Sequence, residues 1–365
     1  MLNQSTKQPI NNTSVTTNVA IAVIYYKDNY LLGFRDKSQH QGNRYEFIGG
    51  KIDAHETASQ ALVREVAEET GIVIHNNTIV KLGRLHHDYG DKKVSLQVYR
   101  IELTAHQYDM YRNHSYGLEG QALTWAHKSE LLAGDYNLPA ANKTILEWLR
   151  LPSKVAITYP LSHFSTYPDA TTAWLQYHQD HIESDAWVYI RVKDTRFENI
   201  AKQLMSQRSD IQVIMPTDIS GHCLSDHYLE HYSTTNHQIV AHHLTQTSLL
   251  QWSHEVKDNL TSDQLRALPH PLIVSCHDAD SIYAANKLAR DRLERQEPPV
   301  MGVFLSPVLA TQTHPDAKPL GWEAWSDLAA IADMPVIGLG GLSPELFTQA
   351  TQYGAMSIAG IRKFL

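Results

Sequence analysis

The amino-acid sequence predicts an α/β protein of two parts, a small α/β domain followed by an eight-stranded (β/α)8 barrel. Three observations point there. The run Gly50 to Ile72 sets glycine, arginine and glutamate at fixed spacing along a predicted helix. Strand-like segments lie on both sides of that helix within about 130 residues, the size of one compact domain. Beyond them, short apolar runs alternate with helical segments eight times in about 215 residues, the rhythm of βα units. On pattern alone, a doubly wound open sheet is the alternative for this second part.

Met1 to Asn18 is rich in Ser, Thr, Asn and Gln without an apolar centre, and is expected to be a disordered tail, not a secretion signal. Val19 to Tyr26 and Tyr30 to Phe34 read as strands around a tight turn at Lys27-Asp28-Asn29. Thr57 to Thr70 reads as a helix. Thr78 to His87 and Lys93 to Leu103 form a second strand pair around Tyr89-Gly90-Asp91, and Ala122 to His127 is a further strand. Ala140 to Arg150 is a helix with Ile145, Leu146 and Leu149 on its buried stripe. Leu151-Pro152-Ser153 breaks the pattern, so the domains are expected at 19–151 and 154–365. The barrel strands are expected at Lys154 to Thr158, Ala186 to Arg191, Ile211 to Met215, Gln238 to Ala241, Pro271 to Ser275, Val300 to Leu305, Pro335 to Leu339 and Met356 to Ala359.

Composition excludes several classes. A hydrophobic fraction of 42% with 19% charged residues is that of an ordinary globular chain. The net charge of -8 argues against non-specific nucleic-acid binding. Two cysteines, Cys223 and Cys276, imply no disulfide framework. The longest apolar stretch, near Val19 to Tyr26, is too short to span a bilayer, so no membrane partner and a cytoplasmic location are expected.

Chemistry concentrates in Gly50 to Ile72, which fits G-x5-E-x7-R-E-U-x-E-E-x-G-U (U aliphatic) at every fixed position. On a helix, Glu65, Glu68 and Glu69 fall at i, i+3 and i+4 and share one face, with Arg64 offsetting their repulsion only in part. A cation among the carboxylates relieves the rest. Ligation by oxygen alone points to Mg2+, with Mn2+ as the other choice, over zinc. The alternative is a solvated acidic helix face, the ordinary outcome for a charge run.

The pattern is similar to the signature of the Nudix hydrolases, which cleave nucleoside diphosphates linked to another group with divalent metal. The resemblance implies an α/β/α sandwich. From Val19 to Leu149 the chain more closely resembles the MutT branch, the 8-oxo-dGTP diphosphatases that cleanse oxidised nucleotides. Tyr45 to Ile52 parallels that branch's EFPGGKI segment with Ile48 for proline, Gly117 to Gln121 parallels GKEGQ with Leu118 for lysine, and Leu138 to Asn142 parallels FPPAN. The resemblance implies metal ligation by Glu65, Glu68, Glu69 and the Gly49 carbonyl, with Glu119 as a further ligand or as base for the attacking water. It also implies that Arg64 holds the catalytic helix through an ion pair, that Glu56 orients the loop and that Arg35 contacts phosphate. His40 falls near the nucleotide by the same comparison, or is an ordinary loop histidine.

Asn142 carries specificity in this reading. Oxidation at C8 puts a hydrogen on N7, so the base edge offers an acceptor at O6 beside a donor at N7, complementary to a carboxamide. A buried site of that kind discriminates by about 10⁴. The competing role for Asn142 is a helix cap. Phe47 packs on the base or belongs to the core.

From about Lys154 to Leu365 the chain resembles thiamine phosphate synthase and its TenI-like relatives, themselves (β/α)8 barrels. Ser306 to His314 is similar to the family's G-P-x-F-x-T-x-T-K loop, and Gly338 to Leu342 to its phosphate loop. The resemblance implies a phosphorylated ligand held by Gly340, Gly341, Thr311 and Thr313. The departures point to a degenerate synthase. Tyr189-Ile190-Arg191-Val192-Lys193 lacks the glutamine of Gln-x-Arg-x-Lys, the Asn-Asp pair is missing around Met215 to Asp218, and Ser248 and His314 replace an aspartate and a lysine. Cys223, His227 and His231, spaced i, i+4, i+8, are either a zinc cluster or a solvated insertion.

The sequence therefore predicts a Mg2+-dependent pyrophosphohydrolase acting on a small nucleotide, 8-oxo-dGTP, and not on nucleic acid itself. The rivals are hydrolysis of damaged thiamine diphosphates, a thiamine-phosphate-binding sensor or scaffold, and a bifunctional enzyme that also makes thiamine phosphate.

Overall fold

A computed structural model describes residues 16–38, 42–88, 90, 93–194, 196–217, 237–254, 268–311 and 318–365. The first part is a seven-stranded mixed sheet. Its strands are β1 (Thr17–Tyr26), β2 (Asn29–Arg35), β3 (Arg44–Glu46), β4 (Ile48–Lys51), β5 (Ile79–Asp88), β6 (Lys93–Glu102) and β7 (Ala122–His127). The order β3-β2-β1-β6-β5 forms the main path, with β4 on β1 and β7 on β2. β1 and β6 run parallel, from Thr17↔Val94 to Tyr25↔Glu102.

β1 is apolar from Val19 onward because both faces of its central part are buried. Ala20, Ala22 and Ile24 pack with Ala61, Leu62 and Val66 of helix α1 (Ala58–Thr70). Val23 and Tyr25, one residue out of phase, join the second core on the opposite face. Helix α1 starts in a capping box between Thr57 and Gln60 and stops at Gly71, whose φ of +77° supplies the left-handed cap. Short helices α2 (Ala105–Tyr111) and α3 (Lys128–Ala133) follow, then α4 (Asn142–Leu149), which packs on the face away from α1 through Ile145, Trp148 and Leu149.

The second part is a closed parallel barrel of eight strands: β8 (Lys154–Ile157), β9 (Trp187–Tyr189), β10 (Gln212–Pro216), β11 (Ile239–Leu244), β12 (Leu272–Cys276), β13 (Val300–Leu305), β14 (Val336–Leu339) and β15 (Ser357–Gly360). Closure by β15 on β8, at Ile358↔Lys154, rules out the open sheet. The helices that follow strands are α5 (Ala170–His181), α6 (Phe197–Gln207), α7 (Gln246–His254), α8 (Ala279–Glu294), α9 (Trp322–Ile331) and α10 (Phe347–Gln352).

The floor of the barrel, made of the segments that enter its strands, rests on β5, β6 and α4. The Lys81 ammonium donates to the carbonyls of Ala330 and Ala332 at 2.7 and 2.6 Å, capping the end of α9. The Arg84 amide donates to Asp333 O at 3.1 Å, and Trp148 Nε1 to Val300 O at 3.1 Å. Gly83 lets these surfaces close, since a Cβ there would lie 2.5 Å from the Trp148 ring and 2.8 Å from Asp333 O.

Candidate active site

The acidic helix face stands under a strand, β4, that has no room for side chains at its two central positions. Gly49 sits at φ +147° beside β1, where a Cβ would meet Ala20 O at 2.1 Å. A Cβ on Gly50 would lie 2.2 Å from the Glu65 carboxylate. The two glycines thus bring the backbone of β4 directly onto the carboxylates of α1. The Gly49 amide donates to Glu69.

Arg64 braces the cluster. It donates to Glu56 from Nη2 at 2.6 Å and Nε at 3.2 Å, to Glu65 and Glu68 from Nη1 at 2.9 Å each, and to Lys51 O at 3.1 Å. Glu56 also accepts from the Asp53 amide at 2.9 Å, so Arg64 and Glu56 together tie the loop to the helix. The hydrogen bond from Arg64 holds the Glu56 carboxyl below its ordinary value.

Glu69 is pushed up to about 8, first by burial and then by the negative charges of Glu46 and Glu65, with Glu119 adding to them. Burial also raises Glu65, against the pull of Arg64. The exposed turn carrying Glu119 is docked on the end of α1. The Leu118 amide donates to Glu69 O at 2.7 Å and Gln121 Nε2 to the same oxygen at 3.2 Å.

These charges meet in one field, and all the donors are carboxylate or backbone oxygens, the chemistry that suits a hard divalent cation. As the side chains stand, no three His, Cys, Asp or Glu among the described residues converge on one ion position. Arg64 holds one oxygen of Glu65 and one of Glu68.

The other predicted residues fall as follows. Arg35 is paired with Glu46 across β2 and β3, with Nε at 2.9 Å from Oε1. Phe47 is 2% exposed and lies in the core. Asn142 is 7% exposed at the first position of α4 and is not its cap. The segment before it is held to β3 by the Tyr45 amide, which donates to Asn137 O at 3.0 Å. His40 lies outside the described residues. The sequence reading missed Glu46 and Gln121, which reach Glu69 from β3 and from the Glu119 turn.

In the barrel, Tyr189, His243 and Phe304 fill the lumen, with ring centroids 4.5 Å apart for Tyr189–His243 and 5.6 Å for His243–Phe304. His243 Nε2 is 2.8 Å from Ser275 Oγ. Ser248 bonds to Thr245 at 3.0 Å. Gly340 (φ +98°) and Gly341 (φ +69°) pack on the loop after β13, where their Cβ atoms would meet Pro307 Cα at 2.8 Å and Ala310 O at 2.5 Å. Close approach of two loops thus requires both glycines, whether or not phosphate binds there. Thr311 adjoins this loop; Thr313, His314, Asp218, Cys223, His227 and His231 lie outside the described residues.

A carboxylate helix under a double-glycine strand, on a mixed sheet, defines a hydrolase domain of Nudix architecture. Residues 19–148 match the family model for the NUDIX domain, and residues 254–364 that for thiamine monophosphate synthase. The chain is 29% identical over 133 residues to an 8-oxo-dGTP diphosphatase of Escherichia coli (strain K12), covering 36% of this chain and 95% of the relative. It is 36% identical over 84 residues to that of Proteus vulgaris, covering 23% and 73%. It is also 33% identical over 129 residues to the CTP pyrophosphohydrolase of Escherichia coli (strain K12), covering 35% and 87%. The chain belongs to the Nudix family as a hydrolase similar to the 8-oxo-dGTP diphosphatases, and it carries a second domain of the thiamine monophosphate synthase type. Among the described residues no helix is long and apolar enough to cross a membrane.

Proposed function

We propose that the first domain hydrolyses 8-oxo-dGTP to 8-oxo-dGMP and pyrophosphate with Mg2+, sanitising the nucleotide pool. The observation that carries the substrate is Asn142, a largely buried residue at the start of α4 that is not the cap of its helix. A donor and acceptor held that way match the O6 and N7-H edge of the oxidised purine. The relatives named 8-oxo-dGTP diphosphatase favour the same substrate, and the CTP pyrophosphohydrolase is the competing precedent.

Glu65, Glu68, Glu69, Glu119 and the Gly49 carbonyl would hold the divalent cation, which when bound supplies charge neutralisation and a more acidic water. Glu119, on its exposed turn, takes a proton from the attacking water. The water oxygen joins phosphorus as the bond between the α and β phosphates breaks, and the bridging oxygen leaves on the other product. Arg35 turns from Glu46 toward phosphate when nucleotide enters. A hydrolysis screen of the full-length protein over 8-oxo-dGTP, dGTP, CTP and thiamine diphosphates tests the reading. The highest kcat/KM is expected on 8-oxo-dGTP; preference for CTP or a thiamine diphosphate overturns it.

For the barrel, the proposal is a binder of a phosphorylated ligand without synthase turnover. The support is the lumen closed by Tyr189, His243 and Phe304, and a serine hydrogen-bonded to Thr245 where a metal-binding aspartate is expected. The full-length protein given both synthase substrates and Mg2+ is expected to form no thiamine phosphate above background. Turnover at an enzymatic rate would make the chain bifunctional.

A further inference from the structure

Helix α4 has two faces of different ownership. Ile145 and Leu149 are fully buried in the second core, the one that Val23, Tyr25 and the barrel share. Trp148, 1% exposed, reaches the barrel floor. Its indole N–H donates to the carbonyl of Val300, the first residue of β13, at 3.1 Å. Its ring fills the space above Gly83, where a Cβ would come within 2.5 Å of it. Leu151, just past the helix, lies 3.5 Å from a Cβ built on Gly302 of the same barrel strand. At the other end of this two-turn helix stands Asn142. A helix of eight residues is too short to hold its own axis, so its orientation is set by what it packs on.

We propose that Trp148 is a positioning residue for nucleotide recognition, and that the barrel floor is the surface on which the base-reading end of α4 is aligned. The inference rests on the reading of Asn142 as the base-contacting group. A donor and acceptor pair discriminates only when held within a few tenths of an ångström of its partner edge. The backbone carbonyl of a barrel strand is a rigid reference for that purpose. On this account the second domain contributes to the first domain's selectivity whether or not it catalyses anything.

The test uses the full-length chain with Mg2+. Trp148→Phe keeps an aromatic ring on α4 but removes the N–H donor and part of the indole that fills the space above Gly83. The KM for 8-oxo-dGTP is expected to rise roughly three- to tenfold as the hydrogen bond and its packing are lost, with kcat and the dGTP KM little changed. In the background of Asn142→Ala the same substitution is expected to add nothing, because the group it aligns is gone. Lys81→Met, which cuts the barrel contact at α9 instead of α4, is expected to lower the melting temperature without moving KM.

Amide hydrogen exchange of residues 142–149, measured without nucleotide, reads the alignment separately and is expected to quicken in Trp148→Phe alone. Unchanged exchange overturns the buttress whatever the substrate. Quickened exchange with an unchanged KM, equal losses on both nucleotides, or additivity with Asn142→Ala overturns the link to recognition. A wild-type enzyme with no preference for the oxidised base brings down the substrate reading and that link together, while exchange still decides the buttress.

Discussion

Glu69 and Asn142 are polar groups in largely buried positions, and burial makes the charge on Glu69 expensive. Glu69 accepts from the Gly49 amide but sits among Glu46, Glu65 and Glu119, so its ionised form is disfavoured. Asn142 stands at the first position of α4, just past the Ala141 cap, with 7% of its surface exposed. In the proposed reading both groups are completed by the bound substrate and its cation. Replacing Asn142 by Ala is expected to cost about 2 to 4 kcal/mol of transition-state binding for 8-oxo-dGTP, because two desolvated groups lose their partners. The loss on dGTP should be much smaller, and steady-state kinetics on both nucleotides measures the difference. Equal losses would mark a scaffold residue. Glu68→Gln keeps shape and the accepting oxygen but removes the charge, so turnover should fall by at least about a hundredfold while the melting temperature holds. Near-normal turnover in Mg2+ would remove Glu68 from the metal set.

At the scale of elements, the legible features are those whose chemistry is local. The acidic cluster lies on one helix, so spacing alone exposes it, and the barrel strands show as apolar runs because parallel strands are buried on both faces. β3 and β4 were invisible: one is Arg-Tyr-Glu, the other is half glycine, and neither carries an alternating pattern. α2 buries no residue and is held by its Thr104–Gln107 capping box, so it has no apolar stripe to detect. Glu46 and Gln121 come to the site from separate strands and turns, for which linear spacing has no signature. The domain interface was hidden for a related reason, since Lys81, Gly83 and Trp148 lie inside runs that read as serving their own domain. The Gly49-Gly50 strand yields a sharp prediction. Gly50→Ala forces a methyl into the Glu65 carboxylate, and Glu65 must swing away from the cluster. The stability change is expected to be small, because the far end of a flexible side chain can move aside. The Mg2+ concentration for half-maximal rate should rise about tenfold or more, a change that a metal titration of the rate reads directly. Wild-type metal dependence in that variant would show that the strand does not press on the ligands.

At the scale of the whole molecule, the buried glutamate and the buried histidines respond to pH with opposite sign. Glu69 is raised from 4.5 to about 8, so the folded protein keeps a proton that the unfolded chain releases. That contribution is fully present below pH 4.5 and is lost as pH rises to about 8. The barrel buries neutral histidines. His178 is lowered from 6.5 to about 4, chiefly by burial; its Nε2 accepts from the Tyr159 amide at 3.0 Å and its Nδ1 lies 2.7 Å from Trp174 O, which suits the neutral ring. His242 and His243 are lowered to about 3, again by burial first. Unfolding lets these rings take protons, so stability present above pH 6.5 is lost as pH falls toward 4 and then 3. Between 4.5 and 6.5 three histidines oppose one glutamate and stability climbs with pH; between 6.5 and 8 Glu69 acts alone among these four and stability declines. Thermal melts without metal should therefore peak near pH 6.5. A divalent ion selects ionised Glu69, so Mg2+ should erase the decline toward pH 8 and stabilise more at pH 8 than at pH 5. Melting series across that range with and without Mg2+ check both slopes. An Mg2+ increment independent of pH would separate Glu69 from the metal, and metal-free stability that keeps rising from 6.5 to 8 would mean that Glu69 is ionised in the folded protein without help.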